Sequence, residues 1–312
     1  MSRRSWMWLL LLASIWGASY MFIKIGLRDL SAPMIACARI ALAAAVLVPV
    51  AASQRALGAV RGRAGTVAIV GAVQVAGPFL LIGLGEQEIS SALAGILVAT
   101  AAIFTAVLAI WVDHEERSEG LRLLGIVVGI AGVVALFGLD LSGSGSAVLG
   151  GLAVVLASLG YAAGGFLVKH RLGHAPPIGV AAWVMAAGTI WLLPAALITA
   201  PSSVPALGPV AAVTALGVVG TGLAFAIFYT LIGRVGPARS FIVAYLAPGF
   251  AVVYGALLLN ERIGAGTVAG LALILAGSWL AVEGPSPSRR DEAAALLDSV
   301  PRPAPSVARP GR

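Results

Sequence analysis

Aromatic and charged side chains recur at helical spacing near the start of the chain. Trp16 and Tyr20 are four residues apart, and Lys24 follows one turn later. On an α-helix these three residues share a face, which could stack a small solute and meet its carboxylate with the lysine. Lys24 has a second interpretation, a lysine that extends to a membrane surface, and the sequence leaves both open.

Two further polar side chains lie inside apolar stretches. Arg39 is about a third of the way into one stretch, and Gln74 is in the middle of another, shortly before Gly77 and Pro78. Because arginine keeps its charge, Arg39 needs a partner, which is a main-chain carbonyl, a helix C-terminus or an anionic substrate. Gln74 either bonds to a neighbouring helix or contacts a ligand beside a proline that frees a carbonyl.

Several aromatic and hydroxyl side chains complete this candidate group. Thr221, Phe225 and Tyr229 recur every four residues and form a stripe that lines a cavity or packs in the core. The full set predicted to line a substrate path is Trp16, Tyr20, Gln74, Thr100, Tyr161, Tyr229 and Tyr245, with Lys24 and Arg39 as possible charge partners.

The composition places these residues in a membrane protein. Of the 312 residues, 60% are hydrophobic and 11% are charged, and the mean hydropathy is +1.00, whereas soluble domains carry about 25% charged residues. The three histidines fall in connections and Cys37 is the only cysteine, so neither a hydrolase site within the bilayer nor a thiolate metal site is expected. The basic residues form no contiguous face, which argues against nucleic acid as a partner.

Ten apolar stretches are long enough to cross a bilayer as helices. They cover approximately residues 6–24, 33–53, 65–84, 89–111, 121–138, 147–169, 177–199, 207–232, 238–258 and 264–282. With a cytoplasmic N-terminus, sixteen Lys and Arg residues lie on the inner side and three lie on the outer side, while Arg39 is inside a span. This positive-inside bias predicts a multi-pass protein of the cell membrane with both termini in the cytoplasm.

The chain also contains an internal repeat with an offset of 145 residues. That offset pairs Trp16 with Tyr161, Lys24 with Lys169, and Pro49 with Pro194, among others. Each copy holds five spans, and because five is odd, the second copy enters the membrane from the opposite side. Inverted repeats of this kind are typical of secondary transporters with alternating access, although a duplication without moving parts has the same pattern.

Short motifs in both copies carry a family resemblance over residues 6–282. The first copy has Trp16-Gly17-Ala18-Ser19, Leu93-Ala94-Gly95 and Glu116-Arg117, and the second has Pro237-Ala238, Tyr245-Leu246-Ala247-Pro248 and Asn260-Glu261-Arg262. In this order they resemble the EamA-type branch of the drug/metabolite transporter superfamily. Two positions depart from the pattern: Ile103 stands where the family often has a proline, opposite Pro248, and the repeat mate of Arg39 is Val184.

The resemblance implies an all-α polytopic membrane protein of ten transmembrane helices arranged as two inverted five-helix repeats. The predicted units are residues 1–145, residues 146–283 and a flexible Pro/Arg-rich cytoplasmic tail, 284–312. The implied activity is transport of a small metabolite, an amino acid or related amphipathic solute, commonly outward, with no cofactor and no metal. A multidrug or organic-cation exporter and a non-transporting structural membrane protein are the alternatives.

The glutamates near the spans are all predicted to lie at span ends. Glu116 and Glu261 are predicted to cap the helix that follows them or to pair locally. With no acidic residue at a span centre, uniport or weakly coupled exchange fits better than a carboxylate relay, although Glu86 or the ionisation of the substrate could carry coupling.

Overall fold

The computed structural model describes residues 3–112, 121–141 and 144–283. Nine helices in these ranges are long and apolar enough to cross a membrane, and a tenth apolar helix has 17 residues. We label them α1 to α10 in chain order: Arg3–Gly26, Ala32–Ser53, Ala64–Glu88, Ser91–Trp111, Leu121–Leu139, Gly145–Leu172, Pro177–Ile198, Leu207–Val235, Ile242–Leu258 and Ala265–Val282. The ten-span, all-helical prediction is confirmed; Glu116, Arg117 and the 284–312 tail lie outside the described residues.

Large apolar side chains cover the outside of the bundle. Trp111, Leu149, Ile190 and Leu257 are each more than two-thirds exposed. A water-soluble protein rarely leaves so many large apolar groups uncovered, whereas a lipid-facing surface has no reason to bury them. The chain is therefore a multi-pass membrane protein whose outer face meets hydrocarbon.

The helix contacts repeat when the chain is shifted by five helices. Helix α2 packs on α7 and α5 packs on α10, so each of these pairs maps onto itself. The contact of α3 with α6 corresponds to that of α8 with α1, and the contact of α1 with α9 corresponds to that of α6 with α4. Helices α3 and α8 each contain a π-helical segment, which is Gly71–Ala76 in α3 and Val218–Leu223 in α8.

Helix α4 is interrupted although it lacks the proline that the family often has there. Its two segments, Ser91–Val98 and Ala101–Val112, are separated by a turn at residues 99–100. The Thr100 hydroxyl donates to the Leu97 carbonyl at this turn, at 2.6 Å. In contrast, α9 runs as one continuous helix through Pro248. The backbone break in this pair of helices therefore lies in the half without the proline.

Glu261 caps a helix in the other half of the chain. Its carboxylate accepts hydrogen bonds from the main-chain N–H groups of Ser91 at 2.8 Å and Ala92 at 3.0 Å, and from the Ser91 hydroxyl at 3.0 Å. The N–H groups are unpaired donors at the start of α4. The prediction that Glu261 caps the following helix, α10, or pairs locally is wrong, because sequence proximity does not reveal which helix N-terminus lies nearest in space.

Glycines bring α5 and α10 into main-chain contact. A Cβ atom on Gly277 would lie 2.3 Å from the main-chain nitrogen of Gly129, and one on Gly125 would lie 2.4 Å from that of Ala281. No rotamer change relieves a clash with backbone, so these helices approach this closely only because small residues line the contact.

We expect Gly277→Ala to destabilise the protein by about 1–3 kcal/mol through overpacking, measured as a lower midpoint of thermal unfolding in detergent. Gly249→Ala is the matched control, because a Cβ at Gly249, inside α9, meets no atom within 4 Å and alanine favours a helix. Equal midpoints for the two variants would contradict the close α5–α10 contact.

Candidate functional site

Arg39 is the most distinctive polar residue in the middle of the bundle. It lies on α2 with 8% of its surface exposed. Its Nε donates to the Thr221 hydroxyl of α8 at 2.8 Å, and its guanidinium carbon is 3.9 Å from the centre of the Phe79 ring of α3. A cation–π contact and one neutral hydrogen bond hold the side chain in place, but neither neutralises the charge.

The π-helical segment of α8 places the acceptor for Arg39. The Thr221 hydroxyl donates to the Leu216 carbonyl, five residues earlier, at 3.0 Å, which is the spacing of a π-helix. Gly217 lets α8 approach α2 at this level, since a Cβ there would lie 3.0 Å from the Arg39 carbonyl. The oxygen of Thr221 is therefore fixed in position beside Arg39.

The two terminal guanidinium nitrogens of Arg39 have no hydrogen-bond or ion-pair partner among the described residues. They are also not among the fully enclosed polar atoms, so they retain some accessible surface. An arginine inside a membrane is stable only with an anion or a set of acceptors. Its free fork has the geometry that binds a carboxylate through two parallel hydrogen bonds.

Aromatic side chains of α1 and α8 pack against one another, beginning four residues after Thr221 on α8. Trp16 packs against Phe225 and Phe228, with ring centres 6.0 and 5.2 Å apart. Tyr229 packs against the same two phenylalanines, with both ring centres at 5.9 Å. Trp16, Phe225 and Tyr229 are only partly buried although they lie well inside α1 and α8, so they retain accessible surface for a ligand.

Two tyrosines interact with the arginine. The Tyr161 ring on α6 is 6.2 Å from the Phe79 ring, and both Tyr161 and Tyr20 interact electrostatically with Arg39. Tyr20 also lies against α4, where its ring is 3.1 Å from a Cβ built on Gly95. Helices of both halves of the chain therefore meet around Arg39. Trp16 is one turn from Tyr20 on α1, and Tyr229 packs against the same hydrophobic cluster as Tyr161. We call Trp16, Tyr20, Arg39, Tyr161 and Tyr229 the central site.

Three other residues predicted to line a substrate path are not part of this group: Gln74, Thr100 and Tyr245. The aliphatic part of Gln74 packs on Gly164 of α6, within the π-helical segment of α3, and its amide has no hydrogen-bond partner among the described residues. The Thr100 hydroxyl is buried and bonded to its own helix. Tyr245 is partly buried near the start of α9.

Lys24 lies at one end of the bundle and not beside Arg39. Its ammonium group donates to the main-chain carbonyls of Glu86 and of Ile89, the latter at 2.8 Å, which are unpaired acceptors at the C-terminus of α3. A cation is favoured there by the helix dipole. Lys24 of α1 therefore caps the end of α3. The contact with a substrate carboxylate and the extension to a membrane surface both stay predictions.

Two further residues near the central site, Phe79 and Glu86, are absent from the set predicted to line a substrate path. Phe79 lies under the guanidinium of Arg39, and its only sequence signal is its position directly after Pro78. Glu86 was placed at a span end, but α3 extends to Glu88, and Glu86 is fully buried with both carboxyl oxygens unpartnered. Hydropathy alone could not have located a buried carboxyl so near a helix end.

Comparison with known proteins agrees with this architecture. Residues 4–138 and 148–282 each match the sequence profile of the EamA-like transporter family. The chain is 29% identical over 295 residues to a probable amino-acid metabolite efflux pump of Escherichia coli K12, covering 91% of this chain and 96% of that protein. It is 28% identical over 282 residues to a probable terminal-alkyne amino-acid exporter of Streptantibioticus cattleyicolor, covering 88% and 92%.

A solved crystal structure has a similar fold. It aligns with a TM-score of 0.64 at 17% sequence identity and covers 91% of this chain and 98% of its own. At this identity the likeness concerns the arrangement of helices and not the residues of the central site.

Proposed function

The chain belongs to the EamA-like transporter family, and from that premise we propose that it exports an amino acid or related amphipathic solute through the central site by alternating access. The observation that carries this proposal is the free guanidinium fork of Arg39, held by Thr221 and Phe79 inside the bundle. It supplies the charge that a small carboxylate requires.

Arg39 binds the carboxylate of the solute, because its guanidinium donates hydrogen bonds and the carboxylate accepts them. Charge-assisted hydrogen bonds are stronger than neutral ones, and the low dielectric around a buried guanidinium strengthens them further. The Tyr20 and Tyr161 side chains also interact electrostatically with Arg39, and their hydroxyl groups are further donors for a bound carboxylate. A solute without an anionic group leaves the charge of Arg39 uncompensated.

The remainder of the solute lies against the aromatic side of the site. Trp16, Phe225 and Tyr229 offer ring faces and edges at mutual distances typical of aromatic packing. Such a surface binds aliphatic or aromatic side chains through burial of apolar area. The names of two relatives, an amino-acid metabolite efflux pump and an amino-acid exporter, support an amino acid as substrate and export as the direction.

Alternating access would use the two halves of the chain as moving units. We take residues 1–145 and 146–283 as inverted five-helix repeats, which place a shared site at their interface. Two observations support this arrangement. The family profile matches the chain twice, and the helix contacts described above recur when the chain is shifted by five helices. The excess of arginine in the connections on one side supports cytoplasmic termini.

Counterflow in proteoliposomes tests the function directly. We expect vesicles loaded with unlabelled phenylalanine or leucine to accumulate the labelled amino acid faster than protein-free vesicles. Trp16→Leu is expected to lower this rate at least several-fold, because it removes the largest aromatic surface of the central site. Trp111→Leu is the matched control, since Trp111 is 80% exposed on the outer face of α4, and its rate should equal that of the wild type.

The same assay separates the alternatives. Exchange of tetraphenylphosphonium without exchange of any amino acid would favour the multidrug alternative and exclude Arg39 as a carboxylate site. Absence of exchange for amino acids, nucleosides and organic cations alike would leave the non-transporting membrane protein as the correct description.

A further inference from the structure

Glu86 is a buried carboxyl group that the proposed function does not use. It lies on α3 with 0% of its surface exposed, and both of its carboxyl oxygens lack a hydrogen-bond partner. An ionised carboxylate in such a position, without a contacting cation, costs several kcal/mol. A proton on the carboxyl group removes this cost in the enclosed arrangement. A cationic group of a ligand can take its place only when the surrounding side chains move apart.

The neighbouring charges do not fill this place. The ammonium group of Lys24 on α1 is within electrostatic range of Glu86, but its hydrogen bonds go to main-chain carbonyls. Arg39 on α2 donates to Thr221. Glu261, before α10, adds a negative charge and caps α4. No ion pair with Glu86 forms among the described residues.

Glu86 is connected to the central site and to an opening at one end of the bundle. Tyr20 and Arg39 both interact electrostatically with Glu86. On its other side, Glu86 borders a pocket of about 570 Å³ that is also lined by Lys24 and Glu261. The Glu86 side chain is thus within electrostatic range of Arg39 and also beside the pocket at the end of the bundle.

We propose that the Glu86 carboxyl alternately binds a proton and the ammonium group of the amino acid, so that export is exchanged for a proton. This inference rests on the proposed function. In the empty carrier a proton neutralises Glu86. When the amino acid binds, its carboxylate pairs with Arg39, its ammonium group replaces the proton on Glu86, and the proton leaves to the solution through the adjoining pocket. One zwitterion then moves in exchange for one proton, and each cycle transfers one positive charge.

Proton movement during transport tests this exchange. With the pH dye pyranine inside wild-type proteoliposomes, adding phenylalanine outside should make the lumen more alkaline, because protons leave as phenylalanine enters. Glu86→Gln should abolish this signal and weaken phenylalanine counterflow without eliminating it. The amide keeps the shape and an acceptor oxygen for the ammonium group, but it carries no negative charge and holds no exchangeable proton. Glu88→Gln is the matched control, two residues further and exposed, and should behave as the wild type.

The outcomes distinguish this inference from the proposed function. Phenylalanine counterflow in the wild type with no pH change, or with acidification of the lumen, would overturn the exchange and leave the transport function standing. A pH change that persists in Glu86→Gln would also overturn it. Absence of counterflow in the wild type would overturn the proposed function itself, and with it the inference that depends on it. If Glu86→Gln does not fold, the wild-type dye signal alone still decides between exchange and uniport.

Discussion

Replacing Arg39 by glutamine is expected to raise the KM for phenylalanine counterflow by about 10- to 100-fold, which corresponds to about 1.5–3 kcal/mol for hydrogen bonds to a charged group. Both terminal nitrogens of the guanidinium lack a partner among the described residues, and in the proposed function the carboxylate of the solute supplies the counter-charge. Glutamine retains a polar side chain but loses the charge and one of the two parallel donors. The effect should appear in KM because the lost interaction is one of substrate binding.

Arg39→Lys separates charge from geometry. Lysine keeps the positive charge, but a compact ammonium group cannot stack flat on Phe79, donate to Thr221 and still present two parallel N–H groups. We therefore expect a KM close to that of Arg39→Gln. Thr221→Val should have a smaller effect, because it removes only the oxygen that orients the guanidinium. Arg61→Gln, at an exposed position between α2 and α3, is the control.

The opposite result has a clear meaning. If Arg39→Gln is monodisperse in detergent and transports with an unchanged KM, the guanidinium serves packing between α2, α3 and α8 and the carboxylate site lies elsewhere. If Arg39→Gln fails to fold, Arg39→Lys resolves the question, because it keeps the buried positive charge while losing the paired donors.

The number and type of helices could be predicted from the sequence because hydrocarbon imposes one strong requirement. A spanning segment must satisfy its own backbone and carry apolar side chains for about 20 residues, and that pattern is local. The π-helical segments in α3 and α8 and the break in α4 could not be predicted in the same way. They depend on which neighbouring helix approaches, as at Gly217 against α2.

The candidate site shows the same division between local and distant information. A helical wheel places Trp16, Tyr20 and Lys24 on one face. It does not show that the Lys24 ammonium group donates to the carbonyl of Glu86, 62 residues later in the chain, at the C-terminus of α3. Glu261 likewise bonds to Ser91, 170 residues earlier. Polar residues in a membrane protein can be recognised as candidates from sequence, whereas their partners are set by helix packing that a single sequence does not reveal.

The end of the bundle near Lys24 is joined by hydrogen bonds between the two halves of the chain. Asp29 accepts from the Ala206 N–H at 2.7 Å, and the Ser31 hydroxyl donates to the Thr199 hydroxyl at 2.8 Å. Ser31 caps the start of α2 and Thr199 follows the end of α7. If transport requires this end to open between the halves, these two positions must separate in each cycle.

A disulfide between positions 31 and 199 should therefore stop transport. In a Cys37→Ala background, which removes the single native cysteine, we expect Ser31→Cys/Thr199→Cys to lose nearly all phenylalanine counterflow on oxidation and to recover it with a reductant. The side-chain oxygens are 2.8 Å apart, so thiols at these positions lie close to the distance of an S–S bond. Each single cysteine variant, oxidised in the same way, is the control and should remain active. Full counterflow in a protein shown by mass spectrometry to be cross-linked would mean that α2 and α7 stay together at this end, and that the two halves do not separate there during transport.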